Sequence, residues 1–349
     1  MKAVFVRGKN RVAVDDISVP FMGDHDVLVQ MRACGLCGSD LEKVYGDYGM
    51  SSGKLGHEPT GNIIKMGKSI KGYCIGDRVF VHHHVSCHAC HYCWHGDFTM
   101  CDMYQKSNIE PCGLSEQFLV HDSNITRGGL VKLPKDVTFD EASLIEPLAC
   151  CIRGLTKCNL QKGDDIAILG AGPAGLMHVI LAKLTGVGRI VVFDINQFRL
   201  DFAKENFDID TYNVAGEKDI IKKMKDSTEG RGADTTIVAT GNSKAIVQSF
   251  DLTRKGGNIL LFGVPTEGTM VLCDISKVYS NELSIIPSYA SSEIEINQAI
   301  RFISSKRINL GSLITHRFDI TNASEGIECA HKAKDAIKVI ITANHGNYK

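Results

Sequence analysis

Apolar residues recur along this chain in two rhythms, and one gives way to the other near residue 164. The N-terminal MKAVFVRGKNRVAV alternates apolar and polar positions, as a strand with one buried face does. Short runs follow at VLVQMRAC (27–34), RVFVHHHV (78–85) and SEQFLVHD (115–122), with glycines and prolines between them. This texture predicts a mostly β first part. Then DDIAILGAG forms a continuous apolar run ending in glycines, GLMHVILAKLTGVG reads as a helix, and RIVVFD is a second continuous run. Strand, helix, strand is the βαβ unit of a parallel sheet. ADTTIVAT (233–240) and GNILLFG (257–263) are further buried-strand candidates. EIEINQAIRFISSK (293–306) predicts a helix and AIKVIITA (336–343) a last strand.

Length and charge narrow the class. At roughly 150 residues per domain, the 349 residues suggest about two domains. Hydrophobic content of 44% and charged content of 23% argue against disorder and against a collagen-like chain. A formal net charge of −1 gives no electrostatic case for nucleic acid or an anionic membrane. No apolar run approaches the roughly 18 residues a membrane helix needs. The N-terminus lacks the apolar core and cleavage site of a signal peptide, which predicts a cytoplasmic chain.

Cysteine placement changes the picture more than any of these. Eleven of the 13 cysteines and nine of the 13 histidines precede residue 160. Thiols stay reduced in the cytosol, so this crowding points to metal rather than to disulfides. Cys87, Cys90, Cys93 and Cys101 lie in CHACHYCWHGDFTMC, a spacing that can surround one tetrahedral Zn²⁺ with four thiolates. Such a closed site is structural; an iron–sulfur cluster is the chemical rival. His88, His91 and His95 are interleaved with the cysteines and are expected to face solvent. His82, His83 and His84 read either as a polar strand end or as a run with one member lining a substrate cleft. Cys37 in GLCGSD, His57 and Glu58 in GHEP, and Glu146 in IEPLAC supply the thiolate, imidazole and carboxylates of a catalytic zinc with an open position.

The second half carries a nucleotide signal. Gly170, Gly172 and Gly175 form GxGxxG between a predicted strand and a predicted helix. The first glycine makes the tight turn, the second lets the backbone approach a pyrophosphate, and the third lets helix and strand pack closely. The helix N-terminus offers free N–H groups to the phosphates. Asp194 closes the next strand, 19 residues after Gly175. Its carboxylate can accept from ribose hydroxyls and would repel a 2′-phosphate, which predicts NAD rather than NADP. Arg199 lies either over the adenosine or on a solvated helix face.

Taken in order, GLCGSD, GHEP, GDRV, the four-cysteine loop, EPLAC, GAGPAG and the strand-ending aspartate span essentially the whole chain. In this the chain resembles the zinc-dependent medium-chain alcohol dehydrogenases, most closely the sorbitol (polyol) and threonine dehydrogenase branch. The resemblance implies an α/β fold: a GroES-like β catalytic domain (1–155 and 288–349) with two zinc sites, and a Rossmann-type doubly wound parallel-sheet domain (156–287). It also implies an active site between the domains and a homodimer or homotetramer.

Carried over by position, Cys37 and His57 would ligate the catalytic zinc, while Glu58 and Glu146 bind it directly or hold its water. Ser39 would take the substrate's proton, and Asp40 would orient the histidine ligand. Ala174, Asp194, Arg199, Phe262, Gly263, Val264 and Ser288 match dinucleotide contacts. The implied reaction is hydride transfer from a secondary alcohol, polyols favoured, to NAD through a zinc-bound alkoxide. A threonine or other amino-alcohol dehydrogenase is the alternative. A non-enzymatic NAD- and zinc-binding sensor ranks lower. Three positions depart from the polyol pattern: Glu42 stands where the family often has a relay histidine, Arg153 where polyol enzymes often carry histidine, and Pro287 where a small or apolar residue is usual. Arg153 reads either as a contact for an anionic substrate or as a salt-bridged structural arginine.

Overall fold

In the computed structural model, which describes residues 1–46, 53–215 and 219–343, the alternating N-terminus folds back on itself. β1 (Lys2–Gly8) pairs antiparallel with β2 (Arg11–Asp16). β3 (Val27–Gly35) is largely buried, and both of its edges are paired. It is antiparallel to β4 (Glu58–Met66) over almost its full length. β5 (Arg78–Val81) follows on β4, β6 (Gln117–Val120) pairs with β3, and β7 (Leu130–Lys132) pairs with β5. Val27, Val29 and Met31 of β3 share one apolar core with Ile63, Val79, Val81, Phe118 and Val120.

The run at 78–85 corrects the strand expectation. β5 stops at Val81. Its partner β7 is short, and beyond Val81 the ladder continues in the His82 N–H, which donates to Gly129 O (2.7 Å). The buried Asn124 side chain donates instead to the carbonyls of His82 (3.1 Å) and His83 (2.8 Å). The three histidines therefore leave the sheet, and strand alternation does not govern where they point.

The second half builds a parallel sheet from β8 (Ile166–Leu169), β9 (Ile190–Asp194), β10 (Asp210–Asn213), β11 (Ala233–Val238), β12 (Thr253–Leu261) and β13 (Ser284–Pro287). All its pairings are parallel, in the order β10-β9-β8-β11-β12-β13. Helices Pro173–Thr185, Gln197–Phe207, Ile220–Ser227, Ser243–Leu252 and Ile275–Ser280 make the crossovers. The order reverses between β8 and β11, the switch point where such sheets bind ligands at their carboxyl ends.

The chain then returns to the first sheet. β14 (Ile314–Asp319) runs parallel to β15 (Lys338–Thr342), which is antiparallel to β3. Two units result: Met1–Ala149 with Ala290–Lys349, and Cys150–Tyr289. The fold is thus a GroES-like β domain and a Rossmann-type α/β domain. Among the described residues no helix is long and apolar enough to cross a membrane.

Candidate functional site

Among the described residues two donor clusters form in the first unit. Cys37 ends the turn after β3 and precedes the helix Gly38–Tyr45, while His57 and Glu58 open β4. One ligand atom from each of these three lies within 4.8 Å of the others. Asp40 braces the group from the first turn of the same helix and is 1% exposed. Its Oδ2 accepts from the Cys37 N–H (3.2 Å) and its Oδ1 from the Gly56 N–H (3.0 Å). His57 Nδ1 lies 3.5 Å from Asp40 Oδ1. The other His57 nitrogen is left for the group shared with Cys37 and Glu58, the arrangement expected of a histidine ligand. Burial would lift the Asp40 carboxyl, but the His57 charge outweighs it and holds it well below the usual range. Burial would lower His57, and Asp40 overrides that and raises it.

Glu58 is fully buried, and its partner is one that sequence reasoning missed. Lys338, first residue of β15, donates from Nζ to Glu58 Oε1 (2.9 Å) and Oε2 (2.6 Å). Burial pushes Glu58 up, Lys338 and His57 pull it back, and the Glu146 charge adds to the rise. Gly35 makes the space, since a Cβ there would lie 1.8 Å from Glu58 Oε2. The only sequence sign was a lysine at the head of an otherwise apolar strand, KVIIT.

Glu146 is buried in the first turn of the helix Ile145–Cys158. It is not among the three mutually close ligands, and it bears on them through its charge. Ser39 is half-buried on the Gly38–Tyr45 helix, on the turn that follows Cys37. Glu42 is half-buried one turn further along, and Arg153 is buried in the Ile145–Cys158 helix.

Cys87, Cys90, Cys93 and Cys101 also bring four ligand atoms within 4.8 Å of one another. The Cys90 and Cys93 sulfurs are 3.6 Å apart, those of Cys87 and Cys93 3.9 Å. Backbone N–H groups point at the sulfurs: Cys87 N to Cys101 Sγ (3.3 Å) and Ala89 N to Cys87 Sγ (3.4 Å). Burial would raise the Cys101 thiol, but the backbone donors win and bring it down to about 6. Burial and its neighbouring thiols push Cys93 up. A tetrad of sulfurs fed by N–H donors suits a thiolate-bound cation. His88, His91 and His95 are exposed, as expected.

The histidine run lies beside the first cluster. The His83 ring centroid is 5.4 Å from that of His57 and 3.8 Å from that of His84. His84 Nδ1 donates to Ser107 O (2.6 Å). His82 is fully buried, and among the described residues neither of its ring nitrogens, nor the buried His83 Nδ1, has a hydrogen-bond partner. Desolvation lowers all three, His82 to about 3 and His84 to about 4.

In the second unit the glycine turn has the expected form. Gly170 has φ +109°, in the glycine-favoured region. Gly172 caps the helix Pro173–Thr185. A Cβ on Gly175 would lie 1.9 Å from Gly170 O, so only glycine allows helix and strand this close. Asp194, last residue of β9, holds the turn: Oδ2 accepts from Ala171 N (2.6 Å) and Oδ1 from Asn196 N (2.8 Å). Arg199 lies against the turn rather than out in solvent. Its Nη1 would be 3.4 Å from a Cβ on Gly172, and the Asp194 charge acts on it.

Ala174 is on the first turn of that helix, and its carbonyl accepts from His178 Nδ1 (2.8 Å). Phe262 and Gly263 follow β12, both donating from backbone N–H to Val238 O, and Phe262 meets the His178 ring edge-on at 4.5 Å. Val264 is exposed; Ser288 donates from its N–H to Leu261 O (3.1 Å). Each of these residues follows the carboxyl end of a strand, where a dinucleotide binds in such a sheet.

With this geometry in place, comparison with known proteins adds an independent line. An alcohol dehydrogenase GroES-like domain matches residues 23–135, and a zinc-binding dehydrogenase domain matches residues 173–305. A sorbitol dehydrogenase of Bacillus subtilis (strain 168) is 30% identical over 353 residues, covering 99% of this chain and 98% of that one. D-arabinitol dehydrogenase 1 of Uromyces fabae is 26% identical over 347 residues, covering 99% and 97%. The solved alcohol dehydrogenase TADH from Thermus sp. ATN1 superposes with a TM-score of 0.86 at 25% identity, covering 99% of this chain and all of that one.

Proposed function

The chain belongs to the zinc-dependent medium-chain alcohol dehydrogenase family, and on that footing we propose that it oxidises a polyol or sugar alcohol at a secondary carbinol, passing the hydride to NAD. The observation that carries this reading is the Cys37–His57–Glu58 group, braced by Asp40 on one side and Lys338 on the other. Zinc, when bound, supplies Lewis acidity toward the substrate oxygen, and NAD accepts the hydride.

The chain's own residues do the rest. Cys37, His57 and Glu58 hold the ion, with Glu146 held near as a second carboxylate. Asp40 fixes the ring of His57. Ser39 takes the alcohol proton toward solvent. Lys338 offsets the Glu58 charge, so the net charge around the ion depends on whether Glu58 turns to metal or to lysine. Gly170, Gly172, Ala174 and Gly175 cradle the pyrophosphate. Asp194 meets the ribose and disfavours a 2′-phosphate, with Arg199 beside it. Phe262, Gly263, Val264 and Ser288 line the path of the nicotinamide half. Cys87, Cys90, Cys93 and Cys101 hold a second, structural zinc. The first unit is the catalytic domain and the second the NAD domain. Polyol oxidation is favoured over amino-alcohol oxidation because the sorbitol and arabinitol enzymes match along their whole lengths.

A cytoplasmic setting, where thiols stay reduced, suits a chain that holds zinc through cysteines. The parallel sheet ends in the edge strand β13, and the stretch of chain that leads into it exposes Met270 (92%), Leu272 (96%) and Tyr279 (85%). An open edge beside such a surface suits pairing with a second copy of the chain, giving a homodimer.

The test is NADH formation with a panel of polyols, sugars, sugar phosphates, diols and threonine, run alongside metal analysis. Turnover of polyols with close to two zinc ions per chain is the expected result. Turnover of threonine alone, or a single zinc, would refute the reading.

A further inference from the structure

The chain passes from one unit to the other twice, at Ala149–Cys150 and at Tyr289–Ala290. The first crossing lies inside the helix Ile145–Cys158 and is held by helical backbone bonds. The second lies in residues 288–292, outside any helix or strand, between β13 and the helix Glu293–Ser304. We propose that the four-cysteine lobe clamps this second crossing, with Tyr104 and Glu293 as positioning residues, and thereby governs how tightly the protein holds the nicotinamide half of NAD. This rests on the NAD reading above and gives the lobe a role beyond stability.

Three residues tie the crossing to the lobe. Tyr104 belongs to the lobe's small buried core, and its hydroxyl donates to Ser291 O (2.8 Å). Glu293 is buried, with Oε1 accepting from the Ser86 N–H (2.9 Å) and Oε2 from the Ser86 hydroxyl (3.4 Å). Ser86 directly precedes Cys87, so Glu293 grips the chain next to a sulfur ligand. Ala290 packs against the cluster of Cys93, Cys101 and Tyr104.

The backbone shows that these contacts hold the crossing against its own preference. Ala290 has φ +55°, in the left-handed region, where its Cβ is crowded by the following carbonyl oxygen. A non-glycine residue stays there only when its surroundings over-determine it. Released, Ala290 returns to negative φ and turns the chain on either side. Ser288 lies two residues back, assigned above to the nicotinamide path and bonded through its N–H to Leu261 O (3.1 Å). Movement at Ala290 therefore reaches the nicotinamide half. The glycine turn keeps its own ties to Asp194, so the adenosine half is spared.

The experiment titrates NADH, and separately ADP-ribose, which lacks the nicotinamide, into the whole zinc-loaded chain, with zinc counted in every variant. Tyr104→Phe keeps the ring and removes the hydroxyl; Glu293→Ala removes both acceptors. Each should keep the wild-type zinc content, weaken NADH binding about two- to tenfold, the worth of one hydrogen bond, and leave ADP-ribose binding unchanged. In turnover the KM for NAD should rise while kcat holds. Glu293→Gln, whose amide oxygen still accepts from the Ser86 N–H, should bind NADH as wild type does. Adding Ala290→Gly to Tyr104→Phe should recover NADH affinity, because glycine takes a left-handed φ without strain. Unchanged NADH affinity in Tyr104→Phe and Glu293→Ala overturns the clamp and leaves the NAD reading standing, as does an equal loss for ADP-ribose or no recovery with glycine. A wild type that binds neither ligand overturns both. Should a variant shed zinc, wild type alone decides: in hydrogen exchange without NAD, peptides spanning 288–293 should be protected, and exchange there at the unfolded rate overturns the clamp.

Discussion

Glu58 and Lys338 form an ion pair with essentially no water around it, the two side chains being 0% and 2% exposed. Breaking a buried pair from one side strands the other charge, at about 3–5 kcal/mol. In zinc-free protein Lys338→Met should therefore lower stability by that order in chemical denaturation, and adding Glu58→Gln should recover a good part of the loss. No pattern in the sequence joins these residues, 280 positions apart, because pairing across a sheet is set by topology and not by local spacing. Cys37, His57 and Glu58 were legible for the opposite reason: each sits in a short motif whose residue types are those of a zinc site. The buried histidines give a pH signature. His82 and His84 titrate in the fold near 3 and 4, against an ordinary value of 6.5. Below pH 6.5 the unfolded chain binds more protons than the native one, so stability falls as pH drops from about 6.5 toward 3. Thermal unfolding followed from pH 7 to pH 4 should show this decline, with a shallower slope in His82→Leu.

Among the elements, the glycine turn and the cysteine loop were the most legible, because each is a local solution to one problem. Gly170 and Gly175 let a strand end and a helix start touch, and Asp194 ties that turn through the Ala171 and Asn196 N–H groups. Asp194→Ala should thus act twice: the kcat/KM preference for NAD over NADP narrows, and NAD binding weakens as the turn loosens. An unchanged cofactor ratio would remove Asp194 from the ribose. The loop carrying Cys87 to Cys101 has a core of only Cys93, Cys101 and Tyr104 with a few half-buried neighbours. Such a small core needs its metal, so Cys93→Ser should cost one zinc per chain and shift the melting temperature more than it shifts kcat. The strand reading of the histidine run failed because β5 loses its partner at Val81; the Asn124 side chain that takes over the backbone there leaves no periodic trace.

At the scale of the whole molecule, the change of rhythm near residue 164 did mark a new architecture, since β8 begins at Ile166. The return of the chain to the first sheet came from the family resemblance; AIKVIITA alone predicts a strand without saying which sheet it joins. That return has a consequence for how the protein is made. The Cys150–Tyr289 unit is continuous and can fold as soon as it has left the ribosome, whereas the first unit must wait for β14 and β15. On the edge it shares with β6, β3 keeps Ala33–Gly35 without a strand partner until then, and Glu58 stays without Lys338. A chain stopped after residue 330 should therefore yield a protease-resistant core from the second unit and a degraded remainder, which limited proteolysis with mass spectrometry would display. Because β15 is made after the whole second unit, a nascent chain can hold that unit's parallel sheet before it can bring Lys338 to Glu58.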